Sequence, residues 1–247
     1  MNLPDFSSET LGGKLLRLPL RLIPASARLP IIRGPSRGRR WIVGSGNHGC
    51  WLGSYEHQQR SVFERYVGVG DVVFDVGAHV GFYTLVASAL VGPHGRVVAF
   101  EPLPENLYFL REHLSMNHID NVTVIEKAVT DHTGFVRFRA HENRSMGGIS
   151  DDGDMNVAVV CLDELIESSE LPPPSCIKMD VEGEEYRALT GAKNYLSRSH
   201  PVIFLSTHGP NVHSDCCRLL KQCNYDLISL DGKDIGSSSS ILAIDGK

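Results

Sequence analysis

An apolar run that breaks at a glycine turn and resumes as a helix confines the fold of this chain more than any other feature. Val72-Val73-Phe74-Asp75-Val76 reads as a buried strand, Gly77-Ala78-His79-Val80-Gly81 as a tight turn, and Phe82-Tyr83-Thr84 onward as an apolar helix. That order is the opening of a β-α-β unit, and the turn lies where an open α/β sheet holds its ligand. From residue 71 short apolar runs alternate with helical stretches, the pattern of a mostly parallel sheet. Strands are expected near 71–76, 96–101, 121–125, 175–180, 201–206 and 225–230. Helices are expected near 80–91, 104–116, 184–197 and 211–223, with Leu107, Leu110 and Leu114 forming one apolar stripe.

Two stretches depart from this alternation. Val129 to Val160 reads as strand pieces around a polar, glycine-rich loop, with Arg144-Ser145-Met146-Gly147-Gly148 either a candidate cover for a substrate or a disordered excursion. Tyr225 to Leu230, the turn Asp231-Gly232 and Ile241 to Ile244 predict a terminal antiparallel hairpin.

The glycine spacing narrows the ligand. A dinucleotide fingerprint needs glycines at offsets 0, 2 and 5, and from Gly77 those offsets hold His79 and Phe82. No phosphate-loop pattern Gly-x4-Gly-Lys-Ser/Thr is present either, which removes the usual nucleotide triphosphatase reading. The turn reads Asp-x-Gly-x-x-x-Gly, and the Asp75 carboxylate at its start repels a diphosphate and favours a cation. S-adenosylmethionine, with its sulfonium and ammonium groups, fits that charge. The next strand, Val97-Val98-Ala99-Phe100, ends in Glu101-Pro102, where a carboxylate can accept both hydroxyls of a ribose; a helix-start carboxylate before Pro102 and Pro104 is the alternative. The cofactor-binding set expected from these segments is Asp75, Gly77, Ala78, His79, Gly81, Phe82, Glu101 and Pro102, joined by Asp180 from a later strand end.

Charge and cysteine content exclude other classes. The 247 residues carry a net charge of −5, so no basic excess recruits nucleic acid. The six cysteines, Cys50, Cys161, Cys176, Cys216, Cys217 and Cys223, form no Cys-x-x-Cys pair, which predicts neither a zinc site nor a disulfide scaffold and suits a reducing, cytoplasmic compartment. No apolar run reaches the ~18 residues of a spanning helix, and the start of the chain lacks a signal-peptide pattern, so neither secretion nor membrane spanning is expected.

Residues 1–40 hold eight basic groups against Asp5 and Glu9, and no acidic residue lies between Glu9 and Glu56. With Pro19, Pro24, Pro30 and Pro35 this predicts a basic, proline-punctuated arm and extension over 1–56, followed by the catalytic domain over 57–247. Packing on an acidic body, its own or that of a partner subunit in an oligomer, is the first expectation for the arm, and weak contact with a membrane surface or glycan is the second.

Several ordered segments resemble the FkbM-type methyltransferases, within the class I S-adenosylmethionine-dependent enzymes. They are the Asp75 to Gly81 turn, Phe100-Glu101-Pro102, the helix from Asn106 to Asn117, Leu162-Asp163-Glu164-Leu165, Ile177-Lys178-Met179-Asp180-Val181-Glu182-Gly183 and His208-Gly209. The resemblance spans roughly residues 50–232 and departs from the family at His79, where Asn is usual. It implies a Rossmann-like α/β fold with a seven-stranded sheet and transfer of a methyl group to oxygen, commonly a hydroxyl of a sugar, glycan or natural product. An NAD-linked oxidoreductase on a similar sheet and a catalytically silent cofactor-binding module are the rival functions.

Methyl transfer is an in-line displacement that needs the acceptor oxygen held and deprotonated. Lys178, Asp180, Glu182 and His208 are the candidates. Asp180 ends a central strand, and Glu182 can serve in catalysis, cap the next helix or pair with Lys178. His208, whose ordinary pKa is near ~6.5, is the candidate base, with substrate positioning and a passive loop residue as alternatives. No tight metal-ligand motif is present, so no metal is expected, although Asp180, Glu182 and His208 could together hold a divalent ion. Trp51, Tyr55 and Glu56 are candidates to line the acceptor pocket or to pack the N-terminal extension.

Overall fold

The computed structural model describes residues 19–140, 147–150 and 152–247. Lys14 and Arg17 of the basic arm, and Arg144, Ser145 and Met146 of the candidate cover, lie outside these residues. The chain divides into two compact units, Met1–Tyr55 and Glu56–Lys247.

In the first unit β1 (Arg28–Pro30) pairs antiparallel with β2 (Arg40–Ile42), and α1 (His48–Leu52) follows. Asn47 caps α1, its Oδ1 accepting the Gly49 N–H at 2.8 Å. Trp41 and Trp51 are buried, whereas Arg28, Arg33, Arg37 and Arg40 are exposed.

The second unit opens with α2 (His57–Tyr66) and then builds the predicted alternation: β3 (Val72–Val76), α3 (Phe82–Val91), β4 (Arg96–Phe100), α4 (Pro104–Met116) and β5 (Val122–Ile125). After an excursion come α5 (Leu162–Glu167), β10 (Cys176–Met179), α6 (Glu185–Thr190), α7 (Lys193–Ser199), β11 (Val202–Ser206), α8 (Pro210–Gln222), β12 (Tyr225–Ser229) and β13 (Ser240–Asp245). The seven-stranded sheet runs β12-β13-β11-β10-β3-β4-β5. Its five central and edge strands from β11 to β5 are parallel, and β13 and β12 are antiparallel additions. Because both faces are covered, the strands are apolar throughout: Phe74, Val76, Val98, Phe100, Ile177, Met179, Ile203 and Leu205 all join one buried cluster.

The chain leaves β3 toward β4 on one side, while β10 and β11 lie on the other. This reversal of strand order puts the ends of β3, β4, β10 and β11 around one crevice, and Gly77, Glu101, Asp180 and His208 all follow those ends.

Two local readings differ from expectation, and the strand pieces expected over 129–160 form a sheet of their own. The helix expected over 184–197 is two helices, because a Cβ at Gly191 would lie 2.1 Å from the Thr130 carbonyl oxygen and the chain bends there to pass it. The excursion is a second sheet, β6 (Ala128–Thr130), β9 (Met155–Cys161), β7 (Gly134–Ala140) and β8 (Gly147–Ile149), in that spatial order. The terminal hairpin forms, but not through a two-residue turn. Residues 230–239 connect its strands, and the Asp231 carboxylate gathers Ser229 Oγ, Lys233 N and Ser239 N. That longer loop lets β13 insert between β12 and β11.

Candidate active site

The turn after β3 is fixed from three sides. The N–H groups of Gly77 and Ala78 both donate to the Phe100 carbonyl, at 3.0 and 2.9 Å, which ties the turn to the end of β4. His79 adopts φ 51°, and its N–H donates to Glu101 Oε2 at 2.8 Å. His113 on α4 reaches the Val80 carbonyl through Nδ1 at 2.8 Å. Burial lowers the His113 pKa to about 4, so the ring is neutral and Nδ1 carries the proton it donates.

The two glycines are required by the protein itself. A Cβ at Gly77, φ +80°, would stand 1.9 Å from the Asp180 carbonyl oxygen, so this glycine lets β3 and β10 end in contact. At Gly81 the backbone, at φ +93°, is what calls for glycine, since a Cβ would meet only the movable end of Leu110 on α4, its Cδ1 at 2.5 Å.

Asp75 is 2% exposed, and its Oδ2 accepts the Thr84 hydroxyl at 2.6 Å. Burial raises its pKa against the lowering effects of Thr84 and Lys178. Its carboxyl group therefore braces the turn from within and reaches a ligand through its field. Glu101 is also buried: Oε1 accepts the Leu103 N–H at 2.9 Å and Asn106 Nδ2 at 3.1 Å, while Oε2 accepts the His79 N–H at 2.8 Å. Pro102 has no N–H to compete. A carboxylate offers about four lone-pair sites, which leaves room on Oε2 for a further donor. Burial raises the Glu101 pKa while these hydrogen bonds oppose the rise. Phe82 starts α3 and is 8% exposed, in edge contact with Tyr83.

On the other side of β3 lies a charged network. Lys178 on β10 is 3% exposed; its Nζ donates to Asp180 Oδ2 at 3.2 Å and lies 4.9 Å from the Tyr83 ring centroid. Burial pulls Lys178 down, but Asp180, Glu56 and Asp75 together hold it above its ordinary pKa. The Tyr83 hydroxyl donates to Glu56 Oε2 at 2.9 Å, so Glu56 belongs to this network; Trp51 and Tyr55 belong to the first unit. Lys178 is thus a buried counter-ion and presents no free ammonium at the rim. Asp180 follows β10, and burial pushes its pKa up, but Lys178 and His208 overcome that and hold it low.

Glu182 sits at φ 51° and Gly183 at φ 104°, so the strand does not continue through 182. Glu182 neither caps α6 nor pairs with Lys178; its Oε2 faces His208 Nε2 at 3.6 Å. The other neighbour of Nε2 is Asp180 Oδ1 at 3.7 Å. His208 Nδ1 is 2.8 Å from Oε1 of Glu185, a residue with 0% exposure. The Glu185 hydrogen bond, then the charges of Glu185, Glu182 and Asp180, raise the His208 pKa to about 9 despite burial. The imidazole expected to be neutral near pH 7 is therefore protonated there. Gly148 on β8 brings the second sheet to this point, where a Cβ would stand 3.9 Å from the Glu182 carbonyl oxygen.

Sequence reasoning missed Glu185, Thr84, Asn106 and His113. Glu185 stood in the motif Glu182-Gly183-Glu184-Glu185 as one of three carboxylates with nothing to single it out. An apolar helix stripe absorbed His113, although its spacing from Leu110 and Leu114 marks it as inward-facing.

A doubly wound sheet with a reversed terminal strand, a glycine turn after its first strand and an acidic end to its second defines the Rossmann-like methyltransferase fold that uses S-adenosylmethionine. Within that class the chain belongs to the FkbM methyltransferase family, whose domain matches residues 75–227. It is 30% identical over 154 residues to the hexuronic acid methyltransferase AglP of Haloferax volcanii, covering 62% of each chain. It is 29% identical over 159 residues to the 31-O-demethyl-FK506 methyltransferase FkbM of Streptomyces tacrolimicus, covering 51% of this chain and 60% of that one. The chain thus spans about three fifths of the length of these curated relatives. The crystal structure of methyltransferase FkbM from Methylobacillus flagellatus shares the fold, with a TM-score of 0.51 and 22% identity over 71% of this chain and 43% of that one. The donor set at the sheet edge suits the cofactor of the class: Glu101 has an acceptor site left for a hydroxyl, and the surrounding carboxylates favour a cation. Among the described residues no helix is long and apolar enough to cross a membrane.

Proposed function

We propose that this protein transfers a methyl group from S-adenosylmethionine to a hydroxyl of a sugar, glycan or glycosylated natural product. The observation that carries the reading is the placement of Glu101 and the His208–Glu185 pair on opposite sides of Gly77, at one edge of the sheet. Glu101 Oε2 and the turn after β3 are placed to hold the nucleoside, with His79 and Pro102 beside them. AglP and FkbM, named for a hexuronic acid and for 31-O-demethyl-FK506, support oxygen as the methyl acceptor.

When bound, the cofactor would supply a methyl group on a positively charged sulfur, which would keep the electron pair of the broken carbon–sulfur bond as the acceptor oxygen takes the methyl. The hydroxyl proton passes to His208 Nε2, which must first be unprotonated. A cationic ligand at this sheet edge would oppose the imidazolium and favour that neutral form. Asp180 and Glu182, on either side of Nε2, hold the acceptor's neighbouring hydroxyls and balance the charge that His208 gains.

Calorimetric titration with S-adenosylhomocysteine, with NAD as control, tests the cofactor half. Glu101→Ala removes a charged acceptor worth about 1.5–3 kcal/mol, so affinity falls about 10- to 100-fold. Binding of NAD instead refutes the reading. Labelled cofactor with a panel of neutral sugars and hexuronic acids then identifies the acceptor, and absence of labelled product with every one leaves the silent binding module in its place.

A second reading has one observation behind it: ligand atoms of Asp180, Glu182 and His208 lie within 4.8 Å of one another, close enough to share a divalent ion that would acidify the hydroxyl. Turnover that persists after exhaustive chelation removes it, and turnover lost and then restored by magnesium replaces the base with the ion.

A further inference from the structure

Glu185 is the first residue of α6, is fully buried, and has its two oxygens in opposite situations. Oε1 accepts the N–H groups of Gly183 at 3.0 Å and Val181 at 3.4 Å, and lies 2.8 Å from His208 Nδ1. Oε2 is buried with no hydrogen-bond partner among the described residues. A residue kept only to close the 181–183 loop would need the two backbone bonds alone. The third contact joins that loop to a ring 23 residues further on, after a different strand.

We infer that Glu185 is the positioning residue that sets the tautomer of His208, and that through the same oxygen it holds the Glu182 loop in register with the ring. The inference rests on the reading of His208 as the group that takes the acceptor's proton. Oε1 already serves as the acceptor for two main-chain N–H groups, so it meets the ring as an acceptor too, and the ring nitrogen facing it is Nδ1–H. In the neutral ring the lone pair is then on Nε2, which faces Asp180 Oδ1 and Glu182 Oε2 at 3.7 and 3.6 Å, beyond hydrogen-bond length. That gap is where a hydroxyl can enter. The opposite tautomer would place the lone pair against Glu185 and leave nothing to accept the proton. The orphaned Oε2 is a cost the fold carries to keep Oε1 in place.

The groups that set this ring's charge come from every side. Asp180 follows β10 and is bonded to Lys178; Glu182 is in the loop; Glu185 is on α6; and on α8, Cys216 is a neutral thiol pushed up to about 12 by burial and by Glu185. His213, also on α8, is 3.0 Å from the hydroxyl of Thr207, the residue before His208.

The test needs no acceptor. The protein labelled with 15N-histidine is titrated by long-range 1H–15N NMR, with His208→Ala identifying the resonance among the eleven histidines. Expected for the wild type at a pH where the ring is neutral is a proton on Nδ1 and none on Nε2. Glu185→Gln should mix the tautomers, while Glu185→Asp retains the Nδ1–H form. A wild-type neutral ring protonated on Nε2 overturns the inference, as does a folded Glu185→Gln protein in which the tautomer is unchanged. If that variant does not fold, the wild-type tautomer decides. Failure of methyl transfer would leave these spectra standing, so the two readings fail separately.

Discussion

Gly77→Ala probes the contact on which the whole sheet edge depends. Its Cβ would stand 1.9 Å from the Asp180 carbonyl oxygen, and side-chain atoms do not approach closer than 3.0 Å, so the ends of β3 and β10 must part by about 1 Å. Two costs add. An L-residue at φ +80° costs about 1–2 kcal/mol, and forcing a methyl group into a packed site costs about 1–3 kcal/mol. At about 3 kcal/mol and 2–4 °C per kcal/mol for a chain of this size, the melting temperature falls by about 6–12 °C. Gly232→Ala separates the two costs, because Gly232 has φ +75° with nothing within 4 Å of its Cβ and loses only the backbone share. Thermal unfolding followed by circular dichroism gives both values. The Gly77 variant should melt at least about 3 °C below the Gly232 variant, the difference expected for ~1 kcal/mol of collision. Equal shifts would refute the argument that Gly77 is needed for the approach of Asp180. The same displacement strains the Asp180 N–H bond to the Val76 carbonyl, at 2.9 Å, so S-adenosylhomocysteine binding should also weaken.

Three further outcomes follow from the charged groups and the loop. Lys178→Ala leaves Asp75 and Asp180 without their buried cation, and the denaturant midpoint at pH 7 should fall by the equivalent of about 3–5 kcal/mol; an unchanged midpoint would show that Lys178 is not their counter-ion. His208 has its folded pKa raised from 6.5 to about 9, so its contribution to stability is full below pH 6.5 and is lost as the pH rises through 9. His208→Gln should therefore flatten the alkaline loss of stability seen in the wild type, and identical curves would contradict the linkage. Glu182→Gly relieves a left-handed backbone at φ 51°, which should raise the melting temperature by about 2–4 °C per kcal/mol released while turnover falls for want of the carboxylate; a variant with unchanged melting temperature would mean that the conformation carries no strain.

The sheet was legible because strands buried on both faces need continuous apolar runs, and β3, β4, β10 and β11 have them. The ends of those strands were legible for the same reason: Gly77, Glu101, Asp180 and His208 are the polar or glycine interruptions. What each of them does was less so. Gly77 read as room for a ligand, and the structure gives that room to the Asp180 carbonyl, a contact between residues a hundred positions apart that no local pattern records. Asp75 read as a group offered to a cation, yet Thr84, one helical turn into α3, claims its oxygen. The protonation of His208 could not be read at all, since it depends on Glu185, Glu182 and Asp180 converging from α6, the preceding loop and β10. The split of α6 from α7 depended likewise on the Thr130 carbonyl from the second sheet.

The two halves of the site are held by different means, and this bears on which half can change. The cofactor side is set by main-chain bonds between neighbouring parallel strands: the Phe100 carbonyl binds the Gly77 and Ala78 N–H groups, and Val76 binds that of Asp180. Substitution there disturbs the sheet itself. The proposed acceptor side is a pair of loops with positive φ, Glu182-Gly183 and Gly209, joined by the buried carboxylate of Glu185 through His208 and approached by Gly148 of β8. A change in the β7–β8 hairpin alters what faces Glu182 without touching any strand end that holds the cofactor turn. On the proposed assignment a change of acceptor in this chain is thus mechanically inexpensive so long as Glu185 keeps the His208 ring oriented, whereas replacement of Glu185 would remove the proposed proton path for every acceptor at once.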